Sequence, residues 1–241
     1  MIYPQWPAPA GVRAVSTTRA GGISKPPYDS FNLAGHVGDE NAAVQENRRQ
    51  LISKLSLPAE PVWLDQVHGT GVVDAALAVD VQQADASYVQ QPGVVCAVMT
   101  ADCLPVLFCD QRGQAVAAAH AGWRGLASGV LEATVAAMGV PADSLFAWLG
   151  PAIGPGVFEI GDEVRTIFVD RQPEASEAFS PLGEGQWLAD IYHLARLRLA
   201  SAGVGQIFGG GFCTFSDSER FYSFRRQSAT GRMASLIWIA G

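Results

Sequence analysis

The amino-acid sequence predicts a mixed α and β fold within one chain, and three observations carry that prediction. Short apolar runs bounded by Gly, Pro or Asp recur along the 241 residues. Patterns with helical spacing fall between them. No low-complexity linker, charge block or repeat interrupts the interleaving. A chain of this length makes one large domain or two small ones with a real core. With no boundary signal, residues 1–241 are expected to form a single domain.

Strands are predicted at Val12–Thr17, Val62–Val67, Val94–Thr100, Val106–Cys109, Ala115–His120, Leu145–Leu149, Phe221–Phe224 and Ala234–Ile239. Several are continuously apolar rather than alternating, the pattern of strands covered on both faces. A helix is predicted over Asn41–Leu57, where Val44, Leu51 and Leu55 share one stripe with Arg48. A second runs over Gly125–Met138, with Leu126, Val130, Leu131 and Val135 on one face and Gly139 as a stop. Asp162 is placed to cap a helix through Phe168, and Asp190 another that runs to Ala202 before Gly203. The polar segment Arg171–Glu184, with two prolines, reads as a long surface loop.

Composition narrows the function. The net charge is −7, from 16 basic and 23 acidic residues. Such a balance argues against nucleic-acid binding and against anionic membrane surfaces, both of which need a basic face. The basic residues are 14 Arg with only Lys25 and Lys54. Arg holds phosphate and carboxylate bidentately, so a few can build a local anion site in an acidic protein. Met1–Gly11 lacks the basic and apolar regions of a signal peptide, and no apolar run reaches 18 residues. A cytoplasmic location is therefore expected. Four cysteines without C-x-x-C spacing do not form a disulfide framework.

Three strings place metal-capable residues at the ends of apolar runs: WLDQVHG with His68, TADCLP with Asp102 and Cys103, and HAGWRG with His120. Strand ends are where α/β sheets gather their sites. Two His and one Cys suit Zn²⁺ and leave a fourth position for water or substrate. The same residue types also serve as partly buried histidines and small core hydrophobes, a reading that suits Cys96 and Cys109. No GxxxxGK[ST] string exists, and the Gly209–Gly211 run lacks a dinucleotide fingerprint.

The strings TTRAGGIS, PYDSFNL, WLDQVHG, TADCLPVLF, HAGWRG, LGPAIGP, YSFRR and TGRMAS, in this order, resemble the YfiH-like family. Its members were long labelled multicopper polyphenol oxidases or laccases, and are now described as purine nucleoside phosphorylases with adenosine deaminase activity. The resemblance implies a single α+β domain, a layered sandwich with mixed sheets between helices. It implies one zinc ion on His68, Cys103 and His120, with copper as an alternative occupant. It implies purine nucleosides (methylthioadenosine among the candidates) and phosphate as substrates. Phosphorolysis needs phosphate held beneath the sugar, and Arg48, Arg19 and Arg124 are the candidate clamps. Arg48 comes first because it shares the apolar stripe of its helix.

Deamination needs a carboxylate to move protons. Asp102 shares the pocket if the chain bends at TADCLP, and otherwise serves as an internal hydrogen-bond anchor. Glu159 and Asp65 are weaker candidates. His36 is expected on an exposed loop and His193 on a helix surface. One ring among Phe221, Tyr222 and Phe224 is available to stack on a purine.

Two other readings use the same residues. A hydrolase editing peptidoglycan precursors would use Cys103 as nucleophile and His120 as base, or zinc. A copper polyphenol oxidase could take the triad as a blue-copper centre, but a further copper cluster needs more His than His36 and His193. Oligomeric state is not legible in the sequence.

Overall fold

The computed structural model describes residues 1–241. In chain order the strands are β1 (Val12–Ser16), β2 (Leu64–Asp65), β3 (Val72–Asp74), β4 (Gln82–Gln83), β5 (Ala86–Val89), β6 (Val95–Thr100), β7 (Leu104–Asp110), β8 (Val116–Ala121), β9 (Leu145–Leu149), β10 (Glu159–Gly161), β11 (Phe179–Gly183), β12 (Gln186–Ala189), β13 (Gln206–Gly209) and β14 (Met233–Ile239). The α-helices are α1 (Asn41–Leu55), α2 (Trp123–Ser128), α3 (Val130–Ala137), α4 (Asp162–Arg171) and α5 (Ile191–Ser201).

A mixed six-stranded sheet, in the order β13-β9-β7-β8-β5-β3, packs against an antiparallel three-stranded sheet, β1-β14-β6. The side-chain period of two explains why the central strands β6, β7, β8, β9 and β14 are buried on both faces. In β7, Leu104, Val106 and Phe108 face the helical side with Leu126 and Leu131, while Leu107 and Cys109 face the other sheet. In β6, Cys96 and Val98 face the six-stranded sheet, while Val95, Ala97 and Met99 pack with Leu51 of α1. The layers therefore run helices, sheet, sheet, helix, as the resemblance implied. The continuously apolar strings are strands with no solvent face.

Several predicted elements differ from what the structure holds. Of the strand predicted at Val62–Val67, only the two residues of β2 are in a ladder. Phe221–Phe224 is not a strand, because its backbone donors go to partners outside any ladder: Phe221 N–H bonds the Asp217 carbonyl, and Tyr222 N–H meets the Met233 sulfur. The segment after Arg171 is not a loop. It forms a 3₁₀ turn over Pro173–Ala178 and then β11, which pairs with β12 across the turn residue Gly185 (φ +68°). Its polarity reflects a strand exposed along most of its length. The predicted Gly125–Met138 helix is broken at Gly129 (φ +108°) into α2 and α3. Asp190 caps α5 as expected, accepting from Tyr192 and His193 N–H at 2.9 and 3.0 Å. Asp162 instead opens α4, which continues past Phe168 to Arg171.

A candidate metal centre at the junction of the two sheets

The string TADCLP is the corner at which the chain leaves β6 in one sheet and enters β7 in the other. Such a sharp turn takes Asp102 into the left-handed region at φ +88°. It also puts Cys103 beside β8. Pro105 pairs with His120 in the antiparallel β7–β8 ladder, so Cys103 lies two residues along from that pair. His68 approaches from the turn after β2, itself at φ +60°. The ligand-capable atoms of His68, Cys103 and His120 all lie within 4.8 Å of one another. Cys103 Sγ is 3.8 Å from His68 Nε2.

A residue that the sequence reading missed holds this cluster together. Asp85, fully buried, places Oδ1 2.8 Å from His120 Nδ1 and accepts the His68 N–H at 2.9 Å on the same atom. Its Oδ2 accepts from Gly69 N–H at 2.6 Å and from Val67 N–H at 3.3 Å. Burial raises the Asp85 pKa, but bonds from His120, Gly69 and His68 more than offset that and hold it below its ordinary value. The carboxylate fixes the proton on His120 Nδ1 and leaves Nε2 to face Cys103. Burial also pushes the Cys103 thiol up, yet hydrogen bonds and charge from His120 and His68 bring it down to about 6. His120 is lowered by burial and raised more strongly by Asp85 and Cys103, to about 9.

Gly122 completes the cradle. A Cβ there would lie 2.8 Å from His68 Cδ2 and 3.0 Å from Cys103 Sγ. Two imidazoles, a thiol easily deprotonated and a carboxylate behind one imidazole make a donor set that fits a tetrahedral metal with one open position.

The three residues open into a cavity of about 340 Å³. Trp123, Phe158, Phe224 and Ile191 contribute apolar surface, and Arg124, Arg225 and Arg232 contribute charge. Asp102 reaches this cavity, so the bend that its participation required is present. Its oxygens are already engaged, by Thr214 Oγ1 at 2.6 Å, Ser223 Oγ at 3.0 Å and Arg225 N–H at 2.7 Å. His36 lies on an exposed loop that also borders the cavity. Among the three rings of RFYSF, Phe221 and Tyr222 are fully buried, whereas Phe224 is 53% exposed and lines the cavity.

Two of the three arginines expected to clamp phosphate lie elsewhere. Arg48 points inward, as its stripe implied, but its guanidinium stacks 4.2 Å from the Trp63 ring and donates to the Leu33 carbonyl at 3.0 Å. Arg19 pairs with Asp29 at 3.0 Å and donates to the Ser218 carbonyl. Neither borders the cavity; Arg124 does, at its exposed rim. Asp65, Glu159 and His193 also lie outside it. Arg225 and Arg232 were not singled out because they sit in a strap without regular structure, whose placement no periodicity reveals. Asp85 gave one faint signal, a lone acid between small residues at the head of a buried strand.

Fold and site thus define a layered α/β protein with a His-Cys-His cluster at the mouth of a cationic cavity. The chain belongs to the YfiH-like family. The matching family model, described as multi-copper polyphenol oxidoreductase laccase, covers residues 13–240. A purine nucleoside phosphorylase of Pseudomonas aeruginosa is 60% identical over 99% of this chain and 98% of its own length. The purine nucleoside phosphorylase YfiH of Escherichia coli is 56% identical, again over 99% and 98%. Among solved structures, a Neisseria meningitidis protein superposes with a TM-score of 0.97 at 53% identity, covering 100% of this chain and 99% of that one. YlmD from Geobacillus stearothermophilus superposes at 0.90 with 32% identity, over 96% and 93%. No helix is long and apolar enough to cross a membrane.

Proposed function

We propose that this chain is a zinc-dependent purine nucleoside phosphorylase with adenosine deaminase activity, acting on purine nucleosides and phosphate. The observation that carries this reading is one cavity that joins a three-donor metal cluster, unpaired arginines and an exposed aromatic ring. The relatives' printed names support the phosphorylase part.

In phosphorolysis a phosphate oxygen bonds to the ribose carbon while the bond from that carbon to the purine nitrogen breaks. The base leaves with the electron pair and takes up a proton. The transition state is cationic at the sugar, so the protein's task is to hold phosphate and nucleoside in line. Cavity arginines supply charge for phosphate, and Phe224 offers a face for the purine. His68, Cys103 and His120 would hold the zinc, with Asp85 orienting His120. When bound, zinc supplies Lewis acidity at an open coordination position, the chemistry that deamination at the purine six-position requires. Asp102, engaged by three donors, serves the site as an anchor rather than as a free base.

One observation favours a second reading. Asp85, His120 and Cys103 also have the order of an orienting acid, a base and a nucleophile, with the thiol brought down to about 6. A cysteine hydrolase acting on peptidoglycan precursors would use them in that way. Metal content decides between the two, because a thiolate committed to zinc is not a free nucleophile. A multicopper oxidase has less support, since only His36 adds a further imidazole to the cavity. Incubating the purified protein with adenosine, with and without phosphate, alongside a metal assay tests the proposal. Adenine and ribose 1-phosphate are expected only with phosphate, and inosine without it. Replacing Cys103 by Ala should remove both metal and turnover.

A further inference from the structure

Three guanidinium groups face this cavity, those of Arg124, Arg225 and Arg232, against a single carboxylate, Asp102. None of the three forms an ion pair with an acid, although the chain carries 23 acidic residues. A cationic cluster maintained inside an acidic protein focuses field into the cavity and favours an anion there. The three are not equivalent. Arg124 is exposed at the rim and stacks on Trp123. Arg225 and Arg232 belong to the strap that connects β13 to β14. Arg225 donates Nη1 to the Glu159 carbonyl at 3.0 Å, and Arg232 donates Nη1 to the Thr230 and Gly231 carbonyls. Each guanidinium therefore has one corner pinned, with further N–H donors left over.

The strap is itself fastened to the metal-side corner. Asp102, next to Cys103, receives Thr214 Oγ1, Ser223 Oγ and the backbone N–H of Arg225. Arg226 then ties the strap to itself through the carbonyls of Thr214, Phe215 and Phe221. Removing the Asp102 charge would loosen the backbone that carries Arg225 and leave the cysteine ligand's own side chain intact.

We infer that Arg225 and Arg232 form the orthophosphate subsite of this cavity and that Asp102 is the positioning residue that presents Arg225 to it. The inference rests on the phosphorylase reading for its ligand, but its test does not need turnover. Calorimetric titration of the zinc-loaded protein with inorganic phosphate, in the absence of nucleoside, should show one saturable site. Arg225→Gln and Arg232→Gln should each weaken it about tenfold or more, the size of a lost charge-assisted bond. Arg124→Gln, which removes a charge at the exposed rim, should weaken it less than either. Asp102→Asn should weaken phosphate several-fold with zinc stoichiometry unchanged. In turnover it should raise KM for phosphate while KM for nucleoside holds, a split that general loosening of the fold would not give. Ser223→Ala, which removes one of the three donors, should show the same split at smaller size if Asp102→Asn does not fold.

Phosphate affinity unaltered in both arginine variants would overturn the subsite. So would loss of phosphate binding in Arg124→Gln alone. Tight binding of a nucleoside 5′-monophosphate with none of inorganic phosphate would reassign the arginines to a nucleotide's own phosphoryl group and overturn the inference as well. If phosphate binds as described but no phosphorolysis occurs, the proposed reaction fails and the subsite stands.

Discussion

Asp85 Oδ1 lies 2.8 Å from His120 Nδ1 while accepting the backbone N–H of His68 on the same atom. One buried acid thus orients one imidazole through its ring and the other through its backbone. The pattern matches the carboxylate–histidine pairs that set metal ligands in place. Replacing Asp85 by Asn keeps the shape but removes the charge that fixes the His120 tautomer. Zinc affinity is expected to fall by about 10–100-fold, measured by competition with a chelator. Unchanged affinity would show that the histidines hold their positions without it.

Gly122 separates the ligands sterically. Its backbone, at φ −61° and ψ 157°, is open to any residue, so Ala costs nothing in conformation there. Its Cβ, however, would sit 2.8 Å from His68 Cδ2 and 3.0 Å from Cys103 Sγ. Gly122→Ala should therefore lower metal content while the far-ultraviolet spectrum stays native. Full zinc occupancy in that variant would contradict the cradle described here.

The metal-free protein should show an unusual cysteine. Cys103 lies at about 6, whereas burial pushes both Cys96 and Cys109 up to about 12. Alkylation of Cys103, followed at that residue, should have a midpoint near 6, be blocked by zinc and disappear in Cys103→Ala. Cys213 is half-buried, and hydrogen bonds from Ser216 and Gly154 outweigh its burial and hold it below its ordinary value, so it should stay reactive with and without zinc. The depressed thiol contributes stability that is fully present above its ordinary value and lost as pH falls through about 6. His120, raised to about 9, contributes stability that is fully present below its ordinary value and lost as pH rises through about 9. Between about 6 and about 9 the rising Cys103 contribution and the falling His120 contribution largely cancel, so the melting temperature of metal-free protein should stay nearly level across that interval. A steep slope in either direction across it would contradict the paired shifts.

These residues also show how far sequence reasoning reaches. His68, Cys103 and His120 were marked as candidates because polar, ligand-type side chains broke apolar runs at strand ends, a local signal, and the family resemblance joined them into one ligand set. Asp85 was not, because its partners lie 16 to 18 and 35 residues away, and the β3–β5 and β5–β8 pairings bring them together. Arg225 and Arg232 were hidden for a different reason, since their strap takes its course from Asp102 and carbonyl contacts rather than from any repeat. The same cause misled the reading of Phe221–Phe224 as a strand. Arg48 was correctly read as inward-facing, but a helix stripe gives a direction and not a destination; the layer it enters belongs to Trp63.

Phe224 presents an exposed ring to the cavity, with Arg232 lying 5.7 Å from its centroid, and under the proposed reaction that ring stacks on the purine. Phe224→Ala removes a side chain that is half in solvent, so stability should hold. KM for the nucleoside should rise about tenfold, within the ~1–3 kcal/mol that a stacked base contributes. KM for phosphate should stay near wild type. An equal rise in both would mean that Phe224 shapes the strap rather than the purine site.

The central claim is that phosphate, and not water, takes the ribose from the purine. Phosphorus NMR of the zinc-loaded protein with inosine and phosphate tests it most directly. Ribose 1-phosphate should appear as phosphate is consumed, one for each hypoxanthine released. Hypoxanthine appearing at the same rate without phosphate, with free ribose as the partner product, would contradict the account.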